Sequence, residues 1–348
     1  MKLKICKRYV CIAAGILLAV PLAAETVQIF VANHAGTQIQ VIDAATNRIV
    51  QTIEGVEAPE GVQFSPDGSR VYITTASENV LTVVDRAANR IIRKVPLSGH
   101  ANDLAVTKDG KHVLVCIAEE PGAVDVIDTG SLTLVKTIPS ESRMHDIVVT
   151  QDGKYAVAGS PEGNSVTVYD LAKLEPAWEY TFDRGVMPLT LEHRADGSAS
   201  RILVNLSRFD GFAAVDFDSR KETARVRNPE PRQSGGFGRR SDTSHGIGVA
   251  PDNQTLWVVS RVSNYVYAYS LPDLKLLGEV AFPVVQLPGR EPIGASPHWI
   301  TFTPDSKTVY ISLDAIDEVL VIDVATRKEV TRIKTGIVPR RISTLTLP

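Results

Sequence analysis

Three histidines recur at one position of an internal pattern. His145, His245 and His298 each stand seven residues before an Asp in a polar turn: Asp152, Asp252 and Asp305. The same count back from Asp67, Asp109 and Asp196 gives Glu60, Asn102 and Leu189, and aligning Pro339 with Pro59 adds Arg340. Seven His scattered through 348 residues would not by chance put three at seven matched positions. Neutral imidazole nitrogens joined by a carboxylate make a donor set for a transition metal. His145, His245, His298 and Glu60 are therefore the expected ligands of Cu, Fe or Zn. Glu60 could instead act as a general base, with Arg340 orienting a substrate. Arg143, Arg340 and Arg341 could bind an anionic one, because guanidinium forks match carboxylates. Asn102 shares the ring position, and His34, Arg208, Arg261 and Asp314 belong to loops expected at its edge.

The elements that must hold these residues follow from the turns. The six Asp anchors lie about 42 to 56 residues apart, the spacing of four-stranded propeller blades. In the clearest copy, Gly61–Phe64, Val71–Thr74, Val80–Asp85 and Ile91–Val95 read as four short strands separated by turns. Third strands end in Asp43, Asp85, Asp128, Asp170, Asp216 and Asp323, with Ser270 the departure, which makes seven blades. The sequence begins its first blade at a second strand, Val27–Asn33, and ends with a lone first strand, Arg341–Leu347. Pairing the two closes the ring and removes exposed sheet edges. The fold class is therefore all-β: a seven-bladed β-propeller of four-stranded blades, closed by the C-terminal strand joining the N-terminal blade.

Residues 1–24 have Lys2, Lys4, Lys7 and Arg8 before an apolar run ending in Pro21-Leu22-Ala23-Ala24, the layout of a cleaved secretory signal. A single propeller domain over 25–348, periplasmic or secreted and without a membrane anchor in the mature chain, is the expectation. Only Cys116 survives cleavage, so no internal disulfide and no Cys-x-x-Cys-His haem attachment is possible. The chain has 37 Lys and Arg against 40 Asp and Glu with no basic block, which argues against nucleic acid as a partner.

Ile29–Asn33, Val71–Thr75, Val309–Ser312 and the Ser-Pro-Asp-Gly turn resemble the YVTN-repeat β-propellers of exported proteins, whose members include surface-layer-like proteins and accessories of pyrroloquinoline-quinone (PQQ) dependent catabolism. The resemblance implies the propeller fold and leaves the activity open. Glu60-Gly61-Val62-Gln63-Phe64 is locally similar to the opening of gluconolactonase and regucalcin propellers, whose Glu binds a divalent metal. Gly99-His100 resembles the Gly-His pair of WD-type propellers, which implies a structural His100, although it too is a candidate for the site.

Strand parity leaves two orientations for the ring histidines, since His298, Ile300 and Phe302 alternate together. They point either between blades or, as expected here, to one mouth of the central channel. Two long connections, 229–244 and 284–297, precede ring histidines and should overhang the same mouth as a lid or a rim for a protein partner. Two functions remain open. One is a metal-dependent enzyme, through oxidoreductase or Lewis-acid chemistry, on a small molecule bound at the mouth. The alternative is a non-catalytic binding or accessory propeller, serving PQQ-dependent catabolism, a partner, or a tetrapyrrole as in the d1 haem propellers.

Overall fold

The computed structural model describes residues 25–230, 243–286, 288–289 and 292–347. The signal expected over 1–24 and most of the connection 229–244 lie outside them. The described residues form seven four-stranded antiparallel blades and no helix. The innermost strands are Pro339–Leu347 in blade 1, Pro59–Phe64 in blade 2, Ala101–Val106 in blade 3 and Asp146–Val149 in blade 4. Val186–His193, Ser244–Val249 and Pro297–Phe302 serve blades 5, 6 and 7.

Local chemistry sets each turn. After the inner strand, the anchor Asp accepts the backbone N–H two residues on, as Asp67 does from Ser69 at 3.0 Å and Asp305 from Lys307 at 3.1 Å. After the third strand, the Asp accepts from the third following N–H, as Asp128 does from Ser131 at 2.7 Å and Asp323 from Thr326 at 2.7 Å. The residue after that lies at positive φ: Asn47, Asn89, Leu132, Leu174, Arg220 and Arg327, with Leu274 following Ser270 in the same way.

Between neighbouring blades lies a layer of buried aliphatic and aromatic side chains. Phe30, Ile39 and Val41 of blade 1 pack on Val62, Val71 and Ile73 of blade 2, and the last interface sets Tyr310, Val319 and Val321 of blade 7 against Ile29, Val31 and Ile342 of blade 1. The core is a ring of such layers rather than one centre. The C-terminal strand closes it, pairing Thr26 with Leu347, Gln28 with Leu345 and Phe30 with Ser343. Edge exposure is removed where the ends meet.

Candidate functional site

The starts of the innermost strands converge on a cavity of about 890 Å³ at one mouth of the channel. Glu60, Asn102, His145, His245, His298 and Arg340 line it, so the six ring positions come together and the histidines face the mouth. The seventh is Met187, not Leu189, which packs between blades 4 and 5. The inner strands of blades 2, 3, 6 and 7 share the irregular pairing at the start of Val186–His193, but only blade 5 adds one between Glu192 and His193, which shifts the position relative to Asp196. Arg143, Arg184, Arg208 and Arg261 add basic groups to the wall beside Glu162 and Asp183, while His100 is not part of the lining.

The histidines are held close together. The His245 and His298 rings lie 3.9 Å apart between centroids at 34°, and His145 meets His245 edge-on at 5.7 Å. Gly246 permits the stack, because a Cβ there would come within 2.8 Å of the His298 carbonyl oxygen. Only an Nδ1–H tautomer can donate to that carbonyl, and His245 Nδ1 does so at 3.3 Å, leaving its Nε2 as the basic nitrogen. Burial holds all three imidazoles neutral, with Arg341 adding to the effect on His145, whose pKa falls to about 4. His245 and His298 lie well below the usual range, and the neighbouring imidazole and Arg261 reinforce their burial.

Second-strand side chains fix the ring from behind. Thr74 accepts from Gly61 N at 2.8 Å and donates to the Asn102 carbonyl of the next blade. Asn205 and Ser312 likewise donate to the carbonyls of His245 and Arg340. These positioning residues were absent from the sequence reading; their signal is a hydroxyl or amide near the end of the second strand.

Directly beneath the ring is a second layer that the repeat alignment did not isolate. Arg341 Nη1 lies 2.9 Å from Asp103 Oδ2 and 3.4 Å from Asp146 Oδ1, with all three side chains almost fully buried. Its Nη2 donates to Asn102 Oδ1 at 2.5 Å, and the Trp299 ring covers its guanidinium at 3.9 Å. Arg341 is thus committed to the channel axis rather than available to an anionic substrate. Arg143 is paired with Glu162 in a two-pronged contact.

The expected Cu, Fe or Zn site must be corrected. Glu60 is taken by His34 Nδ1 at 2.9 Å and Arg340 Nη1 at 3.3 Å. Burial raises its pKa, but the His34 hydrogen bond and the charges of His34, Arg341 and Arg340 outweigh this and keep it anionic. A carboxylate so engaged is not a fourth metal ligand, nor does Glu60 reproduce the gluconolactonase arrangement. His245 and His298 pack ring against ring, tilted by 34°, whereas ligands of one ion aim their nitrogens at a point. Among the described residues no group of three or more His, Cys, Asp or Glu is arranged to hold an ion.

The rim above the ring is an arc of charge in which Asp314 Oδ2 faces Arg261 Nη2 at 3.9 Å and Arg340 Nε at 4.0 Å. The connection 284–297 forms a short hairpin, Val284–Val285 with Ile293–Gly294, and Ser296 at its end accepts from Arg261 at 2.7 Å. Its described residues brace the rim without lining the cavity.

A sequence profile of the Cytochrome D1 heme domain matches residues 24–182, somewhat under half of the chain. No curated protein matches the chain in sequence. Among solved structures, hydrazine synthase of Kuenenia stuttgartiensis is similar with a TM-score of 0.68 and 18% identity, over 89% of this chain and 93% of that one. Dihydro-heme d1 dehydrogenase NirN in complex with DHE gives 0.61 and 16%, over 91% and 74%. A functionally unknown protein from Desulfotomaculum acetoxidans gives 0.74 and 14%, over 91% and 98%. At these identities the structural likeness establishes the fold. The matched profile is that of a heme domain, not of a site for a bare transition-metal ion.

Proposed function

We propose that this chain is an exported binding propeller whose His- and Arg-lined mouth holds a tetrapyrrole bearing carboxylates. The observation that carries the proposal is the make-up of the cavity wall, where the adjacent neutral imidazoles of His245 and His298 are joined by the guanidinium groups of Arg184 and Arg208. A flat macrocycle with anionic edges needs both. The cavity's size falls in the range of small-molecule sites, about 300–1,000 Å³. The Nδ1 atoms of His145 and His298 are buried without a hydrogen-bond partner among the described residues, a polarity left for an occupant.

His245 is the residue suited to the centre of such a ligand, because a backbone carbonyl fixes its tautomer and orients its Nε2. A bound iron tetrapyrrole would supply redox and axial-ligand chemistry there. The chain's part is to bind and orient: arginines hold the carboxylates, Met187 and Pro161 add apolar contact, and neutral imidazoles exclude fixed positive charge from the centre. The profile match over residues 24–182 and the NirN neighbour support this reading. The basic and apolar leader and the YVTN-type repeats support its place outside the cytoplasm.

The test is titration of the purified protein with ferric protoporphyrin (hemin), read by its Soret band and by calorimetry. Saturable binding near one equivalent, weakened at least about tenfold in His245→Ala and in an Arg184→Gln/Arg208→Gln pair, is expected. Binding unchanged in both variants would sink the proposal.

A further inference from the structure

Below the histidines, two carboxylates and one guanidinium meet almost fully buried, with Arg341 also reaching the cavity lining. Asp103 is on blade 3, Asp146 on blade 4 and Arg341 on the closing strand of blade 1, and both acids face the same nitrogen, Arg341 Nη1. Asp146 Oδ2 also accepts from Leu189 N at 2.8 Å. Two ionised acids against one guanidinium would leave a net negative charge buried on the axis. Two carboxylates sharing one buried guanidinium nitrogen do not both ionise, and buried unpaired charge is strongly disfavoured.

We infer that Asp103 and Asp146 share one proton, and that this proton is released when positive charge enters the cavity above. The second clause rests on the tetrapyrrole reading; the first does not. Asp103 is the acid that keeps it, since burial, despite the charge of Arg341, raises its carboxyl well above the usual range, with Asp146 adding to the rise. Asp146 is the acceptor: burial raises it too, but the hydrogen bond from Asp103 and the charge of Arg341 bring it below the usual range.

The groups facing the pair are few. Arg341 faces it from blade 1, His145 from blade 4 and Cys116 from the second strand of blade 3, while Glu60 on blade 2 acts on Arg341 and His145. His145 is neutral, and Cys116 is a thiol pushed far up by burial and by the two acids. With one proton, the Asp103–Asp146–Arg341 cluster has no net charge. A cationic centre above it lowers the pair's proton affinity. The Asp103 O–H then breaks with its electron pair kept by the carboxylate, and the proton leaves to solvent. Nothing is oxidised or reduced.

The experiment has two parts. Infrared difference spectra of ligand-free protein at neutral pH should contain a carboxylic-acid C=O stretch that shifts in D2O and vanishes in Asp103→Asn. It should vanish equally in Asp146→Asn, because a lone Asp103 then ionises against Arg341. An acid band that is absent, or that persists in either variant, overturns the shared proton. In the second part, hemin and iron-free protoporphyrin are titrated in buffers of different ionisation enthalpy. They share carboxylates and differ in central charge, so hemin should release ~1 more proton than protoporphyrin from the wild type and no excess from Asp103→Asn. Equal release from both porphyrins overturns the coupling. If neither binds, the tetrapyrrole reading falls and the coupling with it, while the infrared band still decides the shared proton.

Discussion

His245 donates its Nδ1–H to the carbonyl of His298 at 3.3 Å while the two rings stack at 3.9 Å, so one residue fixes both the tautomer and the position of the other. The contact depends on the bare backbone of Gly246 beneath it.

Gly246→Ala places a methyl against the His298 carbonyl and must move that strand. Weaker hemin binding, by at least about tenfold or ~1.4 kcal/mol, is the expected result, with some loss of thermal stability. Calorimetry beside a melting curve checks it. Unchanged affinity would show that the stack is not needed for binding.

Arg341→Met strips the two acids of their counter-charge, and breaking a buried pair from one side costs about 3–5 kcal/mol. Asp103→Asn with Asp146→Asn in the same chain should recover most of that loss. Urea denaturation of the single, double and triple variants reads the difference; no recovery would mean that Arg341 acts through its packing on Trp299 alone.

Thr74→Val leaves Gly61 N–H and the Asn102 carbonyl without their shared hydroxyl, both beside the cavity. A buried unsatisfied group costs about 1–3 kcal/mol, which denaturation would report. Ser69→Ala, at the opposite mouth, should cost less.

The pH dependence of stability has opposed sources, the buried histidines on one side and Asp103 on the other. His145 has a folded pKa near 4 against an ordinary 6.5, so the unfolded chain binds protons first and stability falls as pH drops from about 6.5 toward 4. His145→Gln should lessen that acid-side loss, the remainder coming from His245 and His298, which also lie well below the usual range. The raised Asp103 works in reverse: its contribution is complete below the ordinary Asp range and is lost as pH rises through its folded pKa. Asp103→Asn should flatten the alkaline decline. Melting temperatures of both variants and wild type across pH separate the two, and parallel curves would contradict both assignments.

Turn chemistry made the fold legible, because Asp67, Asp128 and their counterparts act through hydrogen bonds within a few residues. Ring closure followed from strand order at the two ends. The ring was readable wherever the anchor Asp is the fifth residue after the first core residue, and it failed in blade 5, where irregular pairing moved Met187 into the place expected for Leu189. The charged layer adjoins the ring in sequence, as Asp103, Asp146 and Arg341 each follow a ring residue, yet nothing local reveals that blades 1, 3 and 4 meet there. The bare-metal reading failed for the same reason, since the partners of Glu60 come from the distant loop at His34 and from the last strand at Arg340.

The last strand brings more than closure. Arg340 and Arg341 ride on Pro339–Leu347, whose pairing with Thr26–Asn33 seals the seam. Cavity and seam are therefore thermodynamically linked: whatever occupies the mouth draws on contacts that exist only in the closed ring. Amide hydrogens along Thr26–Asn33 should accordingly exchange more slowly once the mouth is filled, so occupancy would be recorded at the seam as well as at the histidines.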